Sequence, residues 1–312
     1  MESGSALTRL GVWLKTFWPR HLFADIAGLL VNSTHPWIRK PLIRWFLWLH
    51  PANLREAEHE DAMAYPNFNA LFTRALKPGA RRVCDEPDAL VAPVDGRLAE
   101  FGYLRDEHLL QAKGHEYTLS ALLADAAPRN AHLRNGAYAT FYLAPEDYHR
   151  VHLPLAARLL HSTYVPGRLF SVSPLTARHV PQIYARNERL VCEFDSAAGP
   201  FVLVLVGAGF VSGIETRWSG LAPRGVKHVQ SESHVHAGLH FAKGEEAALF
   251  RMGSTVIVLL PEGCATWDAG LQTGQAVRMG QRLALLRKEP FLDGRLDGRI
   301  GGGIDRLDGR TD

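Results

Sequence analysis

The chain has 312 residues, of which 46% are hydrophobic and 21% charged, so it can bury the core of a globular protein. Lys and Arg number 35 against 32 Asp and Glu, and a net charge of +3 is too small to indicate a nucleic-acid-binding protein. Cys84, Cys192 and Cys264 are far apart, which excludes a Cys-x-x-Cys motif and disfavours a disulfide framework. A reducing compartment therefore fits best.

Residues 1–65 are predicted to form a helical region that lies in a membrane interface. The first 50 residues hold six basic and two acidic side chains and five of the seven tryptophans, namely Trp13, Trp18, Trp37, Trp45 and Trp48. Indole rings favour the depth of lipid headgroups, and cations favour anionic lipid. Because no stretch offers the roughly 18 uncharged apolar residues of a membrane span, the region is expected to lie on the membrane. The alternative is a helical subdomain whose aromatic side chains pack on the rest of the protein.

Residues 66–290 have the pattern of a β-rich domain. A short amphipathic helix is predicted at 67–74 and another at 120–126. Short apolar runs separated by turn signals predict a mainly antiparallel sheet and an α+β fold. The predicted strands are 90–94, 97–101, 138–143, 190–194, 201–206, 256–260, 276–279 and 283–286. The tail 291–312 is rich in Asp, Gly and Arg, and we expect it to be disordered.

The segment 250–255 precedes the apolar run 256–260, and it contains the pair Gly253-Ser254. The carbonyl of a glycine is sterically open, and an adjacent serine hydroxyl can attack it when the backbone is strained and a base is near. Such an attack would cut the chain. Because a Gly-Ser pair also occurs at residues 4–5, the pair alone fits a turn before a strand equally well.

His149 and His152 are three residues apart. On a helix they would share a face, whereas on a strand they point in opposite directions. A strand is predicted from about Arg150, so the two histidines have different tasks, or one of them is structural. Asp95 precedes Gly96 at a predicted hairpin turn, where it is either a turn residue or a carboxylate that orients a histidine.

A second group of histidines, His234, His236 and His240, superficially resembles a set of metal ligands. These residues lie in a polar stretch, and no carboxylate stands in ligand register with them. No metal site is therefore expected, and their role stays open.

Several motifs in one order give the chain a close resemblance to one family. They are 68–74, 92–96, 111–115, Tyr-His-Arg-Val-His at 148–152, 164–167, 186–189, 206–208 and Gly-Ser-Thr at 253–255. The chain resembles the bacterial phosphatidylserine decarboxylases of the pyruvoyl-dependent, membrane-associated kind from about residue 10 to residue 287. It departs from them at Val94, Ala248-Leu249 and Met252, and more widely over 223–242, so the histidines there inherit no role.

The resemblance implies that the chain cuts itself between Gly253 and Ser254. The Ser254 hydroxyl would attack the Gly253 carbonyl and convert the peptide bond to an ester. Elimination would then release chain 1–253 and leave a dehydroalanine, which takes up water and loses ammonia to become a pyruvoyl group at the start of chain 254–312. His152 matches the base of this step, and Asp95 matches the carboxylate that orients it, which gives a Ser-His-Asp arrangement directed at the protein's own backbone.

In turnover, the resemblance implies that the pyruvoyl group forms a Schiff base with the amine of phosphatidylserine and accepts the electrons freed as carbon dioxide leaves. No metal or pyridoxal phosphate would be needed. His149 matches the general acid that protonates the carbanion left by carbon dioxide, and we expect its pKa near neutrality. Hydrolysis of the Schiff base would then release phosphatidylethanolamine. His115 and the basic residues near the amino terminus are candidates for headgroup contacts.

The resemblance also implies the partners and the location of the protein. The substrate stays in the bilayer, so the enzyme would be peripheral on the cytoplasmic side of the cell membrane. The two chains would form a heterodimer, with further self-association left open and no nucleic acid bound. The alternatives are a membrane-surface binding protein that is not processed, and a serine hydrolase that uses Ser254, His152 and Asp95. The absence of a Gly-x-Ser-x-Gly motif disfavours the hydrolase.

Overall fold

A computed structural model describes residues 28–209, 213–223 and 226–287. The predictions for residues 1–27 and for the tail 291–312 lie outside this part of the chain. Residues 28–32 are helical, and the α-helices that follow are α1 (Pro36–Leu49), α2 (Phe68–Phe72), α3 (Leu119–Leu123), α4 (Pro174–Ala177) and α5 (Ile183–Arg186). Turns of 3₁₀-helix occupy Ala62–Ala64, Ala112–Gly114, Ala124–Ala126 and Pro128–Leu133.

The described chain is built mainly of β-strands, and all their pairings are antiparallel, as the sequence predicts. The strands are β1 (Ala89–Val91), β2 (Gly96–Tyr103), β3 (His108–Gln111), β4 (His115–Thr118), β5 (Ala137–Leu143), β6 (Arg150–His152), β7 (Ala157–Val165), β8 (Arg189–Ser196), β9 (Phe201–Gly207), β10 (Ile214–Thr216), β11 (Gly220–Leu221), β12 (Gln230–Ser233), β13 (His240–Phe241), β14 (Glu246–Phe250), β15 (Ser254–Leu260), β16 (Ala265–Trp267), β17 (Ala276–Val277) and β18 (Arg282–Leu286).

The largest sheet has nine strands in the order β12-β7-β8-β9-β15-β5-β2-β17, with β13 also paired to β7. Its central strand is β15, and all seven residues of β15 are buried. Protein covers both faces of this strand, and its sequence is therefore an unbroken apolar run rather than an alternating one. Val256 and Val258 enter an apolar cluster on one face, and Ile257 and Leu259 enter another cluster on the opposite face.

The two faces of this sheet are covered differently. Residues of the four-stranded sheet β11-β10-β14-β6, such as Phe250 and Val151, belong to the cluster on the Val256 face. The three-stranded sheet β1-β18-β16 packs into the same cluster through Leu90 and Leu283. Helices α3 and α5 cover the opposite face, together with the two-stranded sheet β3-β4. Segment 250–254 therefore passes from the four-stranded sheet, where β14 ends, into β15, the central strand of the largest sheet.

The two short helices form where the sequence predicts them. Helix α2 begins after Asn67, whose side-chain Oδ1 accepts from the Ala70 backbone N–H at 2.8 Å and caps the helix. Helix α3 begins after Thr118, which caps it in the same way, and it is interrupted at Ala124, whose φ is 49°, where the 3₁₀-helix Ala124–Ala126 begins.

The hairpin predicted at Asp95-Gly96 is wrong. Strand β1 pairs with β18, and β2 pairs with β5 and β17, so residues 92–95 cross between two sheets. The physical reason for the glycine is close backbone approach, because a Cβ at Gly96 would lie 2.4 Å from the carbonyl oxygen of Tyr142. The Asp-Gly pair thus reflects a crowded crossing, which sequence alone does not distinguish from a turn.

Helix α1 has an inward and an outward apolar face. Ile43 and Phe46 are buried in a cluster with α2, which we call the helical cluster and which also contains Val31, Tyr65, Phe68, Leu71 and Phe72. On the other side Trp37, Trp45 and Trp48 are 85%, 59% and 78% exposed. Among the described residues, no helix combines the length and apolar composition that a membrane crossing requires.

Candidate active site

Ser254 is the first residue of β15, and it is 0% exposed. It pairs with Leu143 of β5 on one side and with Gly207 of β9 on the other. The side chain lies on the Val256 face by strand alternation, and its Oγ has no hydrogen-bond partner. An unpaired buried hydroxyl costs about 1–3 kcal/mol, and such groups are often retained for chemistry.

Gly253 has no left-handed φ, and a Cβ at this position would approach no atom closer than the Ala208 carbonyl oxygen at 3.9 Å. Neither backbone strain nor lack of space therefore requires glycine here. A left-handed φ, one source of the strain considered in the sequence analysis, is therefore absent at Gly253.

Backbone pairing brings the histidine segment beside the turn at Gly253. Strand β14, which leads into this turn, pairs with β6, and the Phe250 N–H donates to the His149 carbonyl at 2.9 Å. The Arg251 N–H donates to the Gly213 carbonyl at 2.8 Å and so fixes the other side of the turn. The strand predicted from about Arg150 is confirmed as β6, with His149 just before it.

A tight turn connects the partner of Ser254 to the histidines. It follows Leu143, and the Asp147 N–H donates to the Ala144 carbonyl at 2.9 Å while the Ala144 N–H donates to an Asp147 carboxylate oxygen at 2.7 Å. Burial raises the pKa of Asp147 to about 6. The turn fixes the backbone between Leu143, which pairs with Ser254, and His149.

His149 is 0% exposed, and its ring lies 4.0 Å from the ring of Phe72, between centroids. Its Nδ1 donates to the Asp147 carbonyl at 2.9 Å, and its Nε2 has no partner. Burial, assisted by the charge of Arg74, lowers the pKa of His149 to about 3 against the support of the Asp147 bond. The pKa near neutrality expected from the sequence is therefore wrong for the uncut chain, because a buried apolar contact disfavours the imidazolium. The neutral ring presents an unprotonated Nε2.

His152 lies in β6 and is also buried. Its Nδ1 donates to the Gly244 carbonyl at 2.8 Å, because a carbonyl oxygen can only accept. Its Nε2 then accepts from the Tyr148 hydroxyl at 3.0 Å. Burial lowers the pKa of His152, and the charge of Asp95 opposes this weakly. The imidazole is thus held with its basic nitrogen toward Tyr148.

Asp95 does not hydrogen-bond to His152 in this structure. Its carboxylate accepts from Arg81 Nε at 2.9 and 3.0 Å and also from Arg81 Nη2. The Met279 N–H donates to it at 2.8 Å. A forked, charge-assisted contact with a guanidinium is stronger than one bond to a neutral imidazole, so the orienting group of His152 is Gly244. The charge of Asp95 reaches His152, but no hydrogen-bonded relay joins Ser254, His152 and Asp95.

The other predicted candidates lie elsewhere. His115 begins β4 in the two-stranded sheet, and His236 and His240 are exposed. His234 is buried, and its Nε2 contacts the Ser162 hydroxyl at 2.8 Å. Within residues 28–209, 213–223 and 226–287, no three His, Cys, Asp or Glu side chains stand close enough to hold a metal ion.

The structure adds site residues that sequence reasoning missed. Arg74 donates from Nη2 to the Glu146 carbonyl at 2.8 Å and to the Asp147 carbonyl at 3.2 Å. Tyr148 contacts His152, and Phe72 stacks on His149. Arg74 and Tyr148 stand inside the recurring motifs, which is the one signal that could have selected them. The contacts of Arg74 and Phe72 join segments more than 70 residues apart, whereas Tyr148 and His152 are four residues apart.

A buried serine and two buried histidines on an antiparallel β scaffold define a β-sheet enzyme with a closed site. A family model described as phosphatidylserine decarboxylase matches residues 68–285. The chain belongs to the phosphatidylserine decarboxylase family.

The relatives are similar over nearly their whole length, and each is named a phosphatidylserine decarboxylase proenzyme. The chain is 41% identical over 282 residues to that of Marinobacter nauticus, which covers 90% of this chain and 99% of the relative. It is 44% identical over 280 residues to that of Pseudomonas aeruginosa, covering 89% and 97%. It is 44% identical over 270 residues to that of Methylococcus capsulatus, covering 86% and 94%.

Proposed function

We propose that the chain is a proenzyme that cuts itself between Gly253 and Ser254 and then converts phosphatidylserine to phosphatidylethanolamine and carbon dioxide. The observation that carries this proposal is the fully buried, unpartnered hydroxyl of Ser254 at the head of β15, beside a segment with two buried histidines. The names of the relatives support it, since a proenzyme is a precursor that needs processing.

The residues present fit a pyruvoyl group at position 254. Such a group would arise from Ser254 itself, and the pairing of β15 with Leu143 and Gly207 would hold it in place. The Ser254 Oγ forms no hydrogen bond, so no existing hydrogen bond has to break when the group forms. When formed, the group supplies a ketone that takes up an amine and accepts electrons.

In the cleavage step, His152 would take the proton from Ser254 Oγ at its Nε2. This nitrogen already has a lone pair, because Nδ1 donates to Gly244. In the uncut chain the Tyr148 hydroxyl donates a hydrogen bond to this nitrogen, so Tyr148 must turn away before the Ser254 hydroxyl can approach it. Asp95 would support the imidazolium through its charge across space, since its own hydrogen bonds go to Arg81 and Met279.

In turnover, His149 would hold the proton that the product carbon receives. The reaction replaces a carboxylate by hydrogen and so consumes one proton. His149 Nε2 is unprotonated in the uncut chain, so it must first accept a proton and then donate it. Its apolar contact with Phe72 makes a charged ring unstable, which favours rapid donation.

We propose that α1 attaches the protein to the cytoplasmic face of the cell membrane as a peripheral protein. Trp37, Trp45 and Trp48 share the outward side of this helix, and Lys40 and Arg44 are exposed beside them. Aromatic rings with neighbouring cations suit the headgroup region of an anionic bilayer. This placement fits a substrate that stays in the membrane.

The hydrolase alternative is disfavoured by the burial of Ser254. An external ester must reach the nucleophile, and a serine with no exposed surface inside a sheet offers no such access. The attack on the adjacent Gly253 carbonyl needs no entry path. The uncut chain therefore suits self-cleavage better than hydrolysis of an external ester, and turnover of phosphatidylserine requires that position 254 becomes accessible after the cut.

Intact mass spectrometry tests the proposal. The wild-type protein should give two chains, 1–253 and 254–312, the second with a pyruvoyl mass at its start, and it should release carbon dioxide from phosphatidylserine vesicles. Ser254→Ala should give one full-length chain without activity, because the nucleophile is lost. A single uncut wild-type chain with an ordinary serine would contradict the proposal and would support the binding protein.

A further inference from the structure

Arg74 is a buried cation with unused hydrogen-bonding groups. It is 4% exposed, and only its Nη2 has partners, the carbonyls of Glu146 and Asp147. Its Nε and Nη1 are buried without a partner, and no carboxylate of the described residues forms an ion pair with it. Leaving charged donors buried and unpaired is costly. This cost points to a partner that the described residues do not provide.

Arg189 shows how the same chain satisfies an arginine that only supports the structure. It is 3% exposed and likewise lacks a carboxylate partner. Each of its guanidinium nitrogens donates to a backbone carbonyl, and the acceptors are Ala121, Leu122, Ala185 and Asn187. Burial of a guanidinium therefore does not by itself leave nitrogens unpaired. The two unpaired nitrogens of Arg74 result from its position in the fold.

That position is beside the proposed general acid. The Asp147 carbonyl accepts from both Arg74 Nη2 and His149 Nδ1, so one backbone oxygen joins the two side chains. Both contacts fall on the turn that follows Leu143, the strand partner of Ser254. Arg74 also follows Phe72, which stacks on His149. The open nitrogens thus belong to a side chain anchored at the reaction site.

We propose that Arg74 binds the phosphodiester of the lipid substrate through one of its two unpaired nitrogens, Nε or Nη1. This inference rests on the proposed function. The N–H bonds of these two nitrogens diverge, so the contact is a single charge-assisted hydrogen bond from the guanidinium to a phosphate oxygen. The phosphodiester keeps its charge throughout the reaction, so binding it positions the headgroup without opposing the chemistry.

The substrate carboxylate is the less suitable ligand for Arg74. It leaves as neutral carbon dioxide, so its charge disappears in the transition state. A buried cation against it would stabilise the substrate more than the transition state and would slow the reaction. The carboxylate is better placed in apolar surroundings, which Phe72 and Met252 of the helical cluster provide.

Steady-state kinetics with short-chain lipids test this role. Arg74→Gln should still split into two chains but raise KM for short-chain phosphatidylserine about tenfold or more, with kcat changed less, because a charge-assisted bond is worth about 1.5–3 kcal/mol. Short-chain phosphatidylethanolamine keeps the phosphodiester and lacks the carboxylate, so its inhibition constant should rise by the same factor. Arg74→Lys keeps the charge and should give intermediate values.

Three results would overturn the inference. An unchanged inhibition constant for phosphatidylethanolamine with a raised KM would assign Arg74 to the carboxylate. A lower kcat with unchanged KM, or loss of splitting in both Arg74 variants, would assign it to positioning the turn alone. Arg189→Gln is the matched control, and it should lower Tm while KM and the inhibition constant stay as in the wild type. Failure of wild-type splitting or carbon dioxide release would instead contradict the proposed function.

Discussion

At the scale of single residues, His149 shows what the sequence reveals and what it hides. Its neighbourhood in the Tyr-His-Arg-Val-His motif is enough to select it as a site residue. Its protonation state depends on burial against Phe72, which is 77 residues earlier in the chain. A single sequence carries no direct signal for such a contact, so the expected pKa near neutrality was wrong.

The depressed pKa of His149 predicts a pH-dependent stability. In the unfolded chain its pKa is near 6.5, whereas in the folded chain it is about 3. Between these values the unfolded state binds more protons, so the free energy of unfolding falls as the pH drops, by up to about 1.4 kcal/mol per pH unit. Above pH 6.5 His149 is neutral in both the folded and the unfolded chain, so it no longer makes the stability depend on pH.

Urea denaturation of the uncut chain measures this effect. In a Ser254→Ala background, adding His149→Gln should remove the His149 contribution, so the two curves of stability against pH should converge on acidification from pH 6.5. Any contribution from His152 remains in both proteins and cancels. Parallel curves would contradict the burial of a neutral His149.

Asp95 gives the complementary case. The resemblance identifies it as a site residue, and the structure places it beside the histidine segment, where its charge reaches His152. Its hydrogen bonds go to Arg81 and Met279, the second of which is 184 residues away. Strong pairing with a guanidinium decides the contact, and the choice among competing partners is a property of the folded chain.

At the scale of elements, the long apolar runs were predicted well and the interrupted ones were not. The runs at 201–206 and 256–260 are unbroken, and both became buried strands. The nine-residue strand β7 was missed, because a bulge between Leu159 and His161 interrupts its alternation and polar residues follow. Its polar Thr163 is buried because the Ser231 hydroxyl satisfies it across the sheet.

Helix α1 connects the outer surface to the site through one layer of side chains. Phe46 on its inner side packs edge-on against Phe72 at 6.1 Å, and Phe72 stacks on His149. At its carboxyl end, His50 Nδ1 lies 3.3 Å from a Glu146 carboxylate oxygen. Met252, which precedes the proposed cleavage site, packs against the same helical cluster. The helix therefore contacts both segments of the site.

The outward tryptophans of α1 predict how the protein binds lipid. Replacing Trp45 and Trp48 by Ser should weaken binding to anionic vesicles tenfold or more, because about 2 kcal/mol or more of apolar transfer energy is lost. Vesicle sedimentation measures the change, and circular dichroism should stay unchanged. Leu110→Ser, at a 46% exposed position of β3, is the control. Equal binding by the tryptophan variant and the wild type would contradict the membrane role of α1.

At the scale of the whole molecule, residues 254–287 are interwoven with the rest of the chain. Strand β15 lies between β5 and β9, β17 pairs with β2, and β18 pairs with β1. Cutting one peptide bond before β15 removes none of these hydrogen bonds. The two products are therefore held together by the same core that folded the precursor.

The processed protein should therefore behave as one particle in native solution. Gel filtration should elute both chains together at neutral pH, whereas denaturing electrophoresis should separate them. The reason is the complete burial of β15 between two partner strands. Separate native elution of the small chain would contradict the structure. Ser254→Ala, as a single chain, supplies the reference volume.

The central position of β15 also means that the chain must fold before it is cut. Before the cut, folding is a unimolecular process, and its free energy does not depend on protein concentration. After the cut, refolding requires two separate chains to meet. The small chain would have to insert β15 between β5 and β9, which pair with it in the native sheet. If the chain is cut as proposed, the mature protein would thus be the product of a single folding event, and dilution after denaturation would act against its return.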